Sequence, residues 1–94
     1  MRIRWTRKAS LNLEDVEAYI ARDDPQAALR TVIRIIVAVG QLAEHPEIGR
    51  VGRVQGTREL VVPGTPYIVP YRVRNRAVEI LRVLHAARKW PNRF

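Results

Sequence analysis

"RELVVPGTPYIVPYRVRNRAVEILRVLH", residues 58–85, is the stretch whose reading decides the fold. It holds three strand-like runs, Arg58 to Val62, Tyr67 to Val73 and Val78 to His85, rich in the Val, Ile and Tyr that suit a pleated, half-buried surface. "PGTP" joins the first two and "RNRA" the last two, links short enough for antiparallel hairpins. Pro70 sits inside the middle run and has no N–H to give a ladder, so a bulge or a locally unpaired edge is expected there.

Upstream, the apolar period changes from two to 3.6. Arg2 to Trp5 alternates polar and apolar residues and reads as a strand. Thr6 is placed to cap a helix whose Ala9, Leu13, Val16 and Ile20 share one face, with Glu14, Asp15 and Glu17 largely opposite. "RDDPQAA" breaks and restarts the chain: Asp24 is a good N-cap, and Pro25 suits the first helical position, where a missing N–H costs nothing. The second helix is expected to reach about Glu44 with Leu29, Ile33, Ile36 and Val37 facing inward. Val32, Ile35 and Val39 broaden its apolar surface, which predicts cover on more than one side. Gly40 within it predicts close approach of a neighbouring backbone. "EHPEIGRVGRVQG" is a loop punctuated by Pro46 and three glycines. The expectation is one α+β domain over residues 1–94: an N-terminal strand, and a helical hairpin packed on a C-terminal three-stranded antiparallel sheet.

Composition narrows the chemistry. The chain has 94 residues, 47% of them hydrophobic, enough for one small core. It has no cysteine, which excludes disulfides and thiolate metal sites and suits a reducing compartment. Nothing at the N-terminus reads as a signal peptide, and the apolar run "IIVAVG" falls short of the ~20 residues of a membrane span, so a cytoplasmic location without membrane contact is expected. Net charge is +8, unevenly placed. Residues 1–49 hold seven Lys/Arg against seven Asp/Glu, whereas residues 50–94 hold ten against two, Glu59 and Glu79. Such a surface attracts polyanions, either nucleic acid or an acidic protein segment.

The basic half ends in "EILRVLHAARKWP", residues 79–91, where His85, Arg88, Lys89 and Trp90 crowd behind the last strand. Together they offer charge, stacking and cation–π contacts to a partner. The structural alternative has His85 satisfied at the sheet end and Trp90 folded back as a core plug. His45 and His85 are the only histidines and lack the carboxylate spacing of a metal site. No Ser or Cys lies in a nucleophile motif, and Gly49, Gly52 and Gly56 make no phosphate cradle before a helix. Neither metal nor cofactor is expected.

"LAEHPEIGRVGRVQGTRELVV", "YIVPYRV" and "VEILRVLHAARKWP", in this order and spacing, resemble the RelE/ParE superfamily, the toxin halves of bacterial type II toxin–antitoxin modules. The resemblance implies a growth inhibitor silenced by a cognate antitoxin, an acidic or amphipathic segment that would lie on Leu29, Val32, Ile36 and Val39 of the second helix. Two targets are open: the ribosome with its mRNA, which one branch cleaves, and DNA gyrase, which the other poisons. An RNA-cutting member needs a base, an acid and cations for the phosphorane. Arg88 falls where that branch carries a catalytic arginine, His85 has a ring that titrates near neutrality, and Arg58, Arg72 and Arg82 are candidate phosphate ligands. Yet Glu59 and Val61 stand where that branch has lysines, Ile68 where it has an arginine, Gly52 at a loop base and Phe94 at the final tyrosine. The resemblance is therefore closer to the ParE side, with Arg58, Arg72, Arg82, Arg88, Lys89 and Trp90 as target-binding candidates. His85 and Arg88 are catalytic only under the nuclease alternative, and only then is the chain an enzyme.

Overall fold

The computed structural model describes residues 1–94 as β1 (Arg2–Trp5), α1 (Arg7–Ala21), α2 (Pro25–Gly40), a 3₁₀ turn (Gln41–Ala43), β2 (Arg50–Val51), β3 (Arg58–Val61), β4 (Tyr67–Arg74), β5 (Ala77–Ile80) and β6 (Leu84–His85). Both helices start at the expected caps, Thr6 Oγ1 accepting from the Ala9 N–H and Asp24 Oδ1 from the Ala27 N–H. The Thr6 hydroxyl also donates to the Ile80 carbonyl at 2.7 Å, which ties the start of α1 to the sheet.

The α+β architecture stands, with a sheet larger than the three antiparallel strands. Its order is β1-β5-β4-β3-β2, with β6 also on β4. The N-terminal strand joins it in parallel beside β5, pairing Ile3 with Val78 and Trp5 with Ile80. The two helices carry the chain from β1 across one face, which lets a short strand at each end of the sequence share one core. Asn75 and Arg76 both take positive φ in the β4–β5 turn, the two-residue geometry that matches strand twist.

Pro70 produces the expected bulge, and the bulge breaks the last run. Tyr71 pairs with Ile80, but Ile68 pairs with Leu84, so one extra residue lies between on the β5–β6 side. The Leu81 and Arg82 N–H groups both point to the Pro70 carbonyl, at 2.9 and 3.5 Å. Asn12 of α1 braces the bulge, its Oδ1 accepting from Arg82 Nε at 2.8 Å and from the Val83 N–H at 3.1 Å. Because strand side chains alternate, a one-residue slip exchanges faces. His85 is thereby paired with Tyr67 on the helix-covered side.

The core lies between that face and the helices, built on Ile35, Val39, Leu42, Val62, Val69, Tyr71, Val78 and Ile80. From α1, Ala9 and Val16 are buried, with Leu13 and Ile20 packed against them, as the spacing predicts. The inward stripe of α2 differs from the expected one. Ala28, Ile35, Ala38 and Val39 are buried, while Leu29, Ile33, Ile36 and Val37 are exposed. Small Ala28 and Ala38 let the helix sit close, and the bulkier residues are left on the outer side. Val39, expected at a partner surface, is 1% exposed and belongs to the core. Gly40 has no neighbour within 4 Å of where a Cβ would stand, so close approach does not explain it. With the turn that follows, Pro25–Ala43 is 19 residues of mean hydropathy 1.3, apolar enough to span a membrane. Packing of Ile35, Val39 and Leu42 in the core accounts for part of that apolarity, and the exposed Leu29, Ile33, Ile36 and Val37 supply the rest.

Candidate functional site

Behind β6, the chain turns back along α1 and leaves a cleft of about 200 Å³. Asp15 and Tyr19 of α1 form one wall; Tyr67, His85, Arg88 and Trp90 form the other. The bulge at Pro70 is the reason His85 is here: it turns the imidazole toward α1 and away from the open face of the sheet. The His85 ring meets Tyr67 edge-on with centroids 5.5 Å apart, and its Nδ1 accepts from the Ala87 N–H. Burial pushes the Tyr67 phenol above its ordinary pKa, against the pull of the nearby Arg88 charge. The Arg88 guanidinium lies 4.9 Å from the centre of the exposed Tyr19 ring.

Trp90 is not a core plug. It is half-buried at the cleft edge, its indole N–H donating to the His85 carbonyl at 3.1 Å, with Arg53 stacked 3.5 Å over the ring. Arg53 in turn is held by Glu59, whose Oε2 accepts from the Arg53 backbone N–H at 2.9 Å and from its Nε at 3.2 Å. Arg50 reaches the other oxygen at 2.9 Å. The β2–β3 loop thus clamps the C-terminal segment through a carboxylate, a guanidinium and an indole in series. Only the types Glu, Arg and Trp were legible in the sequence; their meeting depends on the register of β2 and β3, which places Arg50 opposite Glu59.

The expected phosphate ligands do not converge. Arg58 donates to the Gly49 carbonyl at 2.8 Å and braces the loop before β2. Arg72 lies on the open face, bonded to Glu79 at 2.7 Å, and Arg82 is turned to Asn12 of α1. Of the candidates, the structure gathers His85, Arg88, Lys89 and Trp90 around one cleft and leaves Arg58, Arg72 and Arg82 elsewhere. Of the five positions that depart from the nuclease pattern, three lie together. Glu59, Val61 and Ile68 share the open face, Val61 directly opposite Ile68, and Gly52 is packed against Thr57. Among the described residues, no group of three His, Cys, Asp or Glu is placed to hold a metal ion.

Glu59 is 2% exposed, and burial alone would raise its pKa. The Arg53 N–H and the Arg50 and Arg53 guanidinium groups outweigh that and hold it below the usual carboxylate value. A depressed folded pKa contributes stability that is present above the unfolded value near ~4.3 and is lost as pH falls through the folded one. Glu59→Gln is expected to cost about 1.5–3 kcal/mol at pH 7. The gap from the parent in thermal melts is expected to narrow steadily toward pH 3; a gap independent of pH would show that Glu59 carries no such linkage.

Comparison with known proteins places this arrangement. A two-helix layer on a mixed sheet is a fold shared with a solved toxin–antitoxin system. The ParE toxin of the type II toxin–antitoxin system parDE matches residues 3–90. The chain therefore belongs to the ParE toxin family: it is the toxin of a type II toxin–antitoxin module, a family that implies a cognate antitoxin partner. It is 56% identical over 90 residues to the protein Y4kP of Sinorhizobium fredii, covering 96% of this chain and 93% of that one. It is 39% identical over 84 residues to Toxin RelE2 of Caulobacter vibrioides, covering 89% and 93%. A solved structure titled as the chromosomal ParDE system from P. aeruginosa superposes with a TM-score of 0.81 at 32% identity, over 90% of this chain and 95% of that one.

Proposed function

We propose that this toxin arrests growth in the cytoplasm by engaging DNA gyrase through its C-terminal cleft, without cutting RNA. The observation that supports this reading is the separation of the groups that cleavage would need. His85 and Arg88 lie on the helix side of the sheet, whereas Arg72 lies on the open face, already bonded to Glu79. On that open face the positions expected to carry the nuclease cations hold Val61, Ile68 and a Glu59 locked by two arginines. His85 meets only Arg88 and Lys89 in the cleft, while Arg58, Arg72 and Arg82 are engaged elsewhere, so a 2′-OH attack there would lack the wider phosphate clamp. Binding needs less: Arg88, Lys89 and the Trp90 edge offer charge and a flat ring to a protein surface. The antitoxin lies on the other side, over the exposed Leu29, Ile33, Ile36 and Val37 with half-buried Val32 between them, an apolar stripe fit for an amphipathic helix.

The alternative is ribosome-dependent mRNA cleavage, favoured by the name RelE carried by the Caulobacter relative and by His85 and Arg88 lying in one cleft. The two are separated by supercoiling assays with purified gyrase and by following translation in cells. The expected result is blocked supercoiling and a DNA-damage response while protein synthesis continues at first. Site-specific cuts in translated mRNA that vanish in Arg88→Ala would overturn the gyrase reading.

A further inference from the structure

The face of the sheet turned away from the helices carries a second charged surface that the cleft does not use. Residues paired across strands share a face, so Arg4, Glu79 and Arg72 form one row over β1, β5 and β4. Two residues along, Arg2, Ala77 and Arg74 form a parallel row on the same face. Arg50 and Glu59 extend the surface toward β2 and β3, with Arg53 beside them. Six guanidinium groups stand here against two carboxylates, a net of four positive charges.

The carboxylates do not cancel this surface; they organise it. Glu79 is 5% exposed and grips Arg4 through one oxygen and Arg72 Nε through the other, which leaves the terminal nitrogens of Arg72 free. The Arg4 and Arg72 side chains remain 54% and 39% exposed. Arg2 and Arg74, both exposed, form no ion pair. Strand spacing sets Arg4 and Arg72, like Arg2 and Arg74, about 10 Å apart across β5, and the two rows about 7 Å apart along the strands. Four forked donors thus mark the corners of a flat rectangle whose long side is comparable to the ~12 Å width of a B-DNA major groove.

We infer that this face docks on the phosphodiester backbone of duplex DNA. Guanidinium forks match phosphate oxygens two at a time, and fixing Arg4 and Arg72 on Glu79 removes part of the ordering cost. Single strands are disfavoured because Trp5, Tyr67 and Tyr71 belong to the helix side and the one ring beside the face, Trp90, is already stacked under Arg53. Duplex RNA is disfavoured because its A-form major groove is deep and narrow, unlike the width that the long side of the rectangle matches. With no residue aimed into a groove, the contact is independent of sequence. It stands apart from the target of the cleft and does not require that target to be gyrase.

The test measures binding of the full chain to a labelled random-sequence DNA duplex by fluorescence anisotropy over a salt series. Four phosphate contacts predict a slope of about −3.6 in log K against log salt. Arg2→Gln with Arg74→Gln, which leaves the Glu79 clasp intact, is expected to halve that slope and to weaken binding on the order of 100-fold at 50 mM salt. Arg22→Gln with Arg30→Gln, on the helices, is expected to leave both unchanged. Circular dichroism confirms folding of each variant. An unchanged slope in the first pair, or an equal loss in the helix pair, would overturn the inference. So would a single strand, an RNA duplex or a polyglutamate peptide binding as tightly as the DNA duplex at equal salt.

Discussion

Tyr71→Ala is expected to lower the free energy of unfolding by about 3–5 kcal/mol, the range for truncating a buried aromatic. For a domain of this size that is a fall in melting temperature of roughly 15 °C or more. Tyr71 has no exposed surface and sits at the centre of the sheet's helix side. It also pins the loop before β2, its hydroxyl donating to the Pro46 carbonyl at 2.7 Å and accepting from the Gly49 N–H at 2.9 Å. A Cβ on Gly49 would stand 2.6 Å from the Tyr71 ring, so only glycine fits that turn. Tyr71→Phe separates the two roles. It keeps the ring and leaves two polar groups without partners, for an expected loss of about 1–3 kcal/mol. A Phe variant within 0.5 kcal/mol of the parent by urea denaturation would show that the loop does not depend on the hydroxyl.

That turn illustrates what the sequence made legible and what it withheld. The hairpin links, both N-caps and the awkwardness of Pro70 were readable because each rests on local chemistry: a missing N–H, a short polar side chain, a turn of fixed length. The bulge's consequence was not readable, because which face His85 takes depends on a one-residue slip against a distant strand. The inner face of α2 was misread for a related reason. Its apolar residues run almost all round, so period alone could not choose between Ile35 with Val39 and Ile33 with Val37; the small Ala28 and Ala38, which permit close packing, were the overlooked signal. The parallel pairing of β1 with β5 likewise has no local signature, since residues 75 positions apart in sequence are joined only through the core. At the site, the cluster of His85, Arg88, Lys89 and Trp90 was legible as an accumulation of residue types. The internal partners of Arg58, Arg72 and Arg82 were not, because an arginine's partner is a matter of tertiary geometry.

Arg88→Ala with Lys89→Ala is expected to abolish growth inhibition while leaving the domain folded. Both side chains are exposed, neither enters an ion pair, and the stacking of Arg88 on Tyr19 contributes only about 0.5–1 kcal/mol at an exposed site. Melting temperature should therefore move by a few degrees at most. Loss of two charges from a target-binding cleft is different in scale: each desolvated contact is worth about 2–5 kcal/mol when truncated, so target affinity should fall at least 10-fold and in the best case well beyond 100-fold. The antitoxin provides the internal control, because the exposed stripe of Leu29, Ile33, Ile36 and Val37 lies on α2 and does not include the cleft. A variant that still binds its antitoxin at parental affinity but no longer inhibits growth assigns the cleft to the target. Tyr19→Leu refines the point, since it removes the stacking partner but keeps both charges, and a partial loss is expected from it. Undiminished toxicity in the Arg88 and Lys89 double variant would return these cations to the solvated surface and move the target contact elsewhere on the molecule.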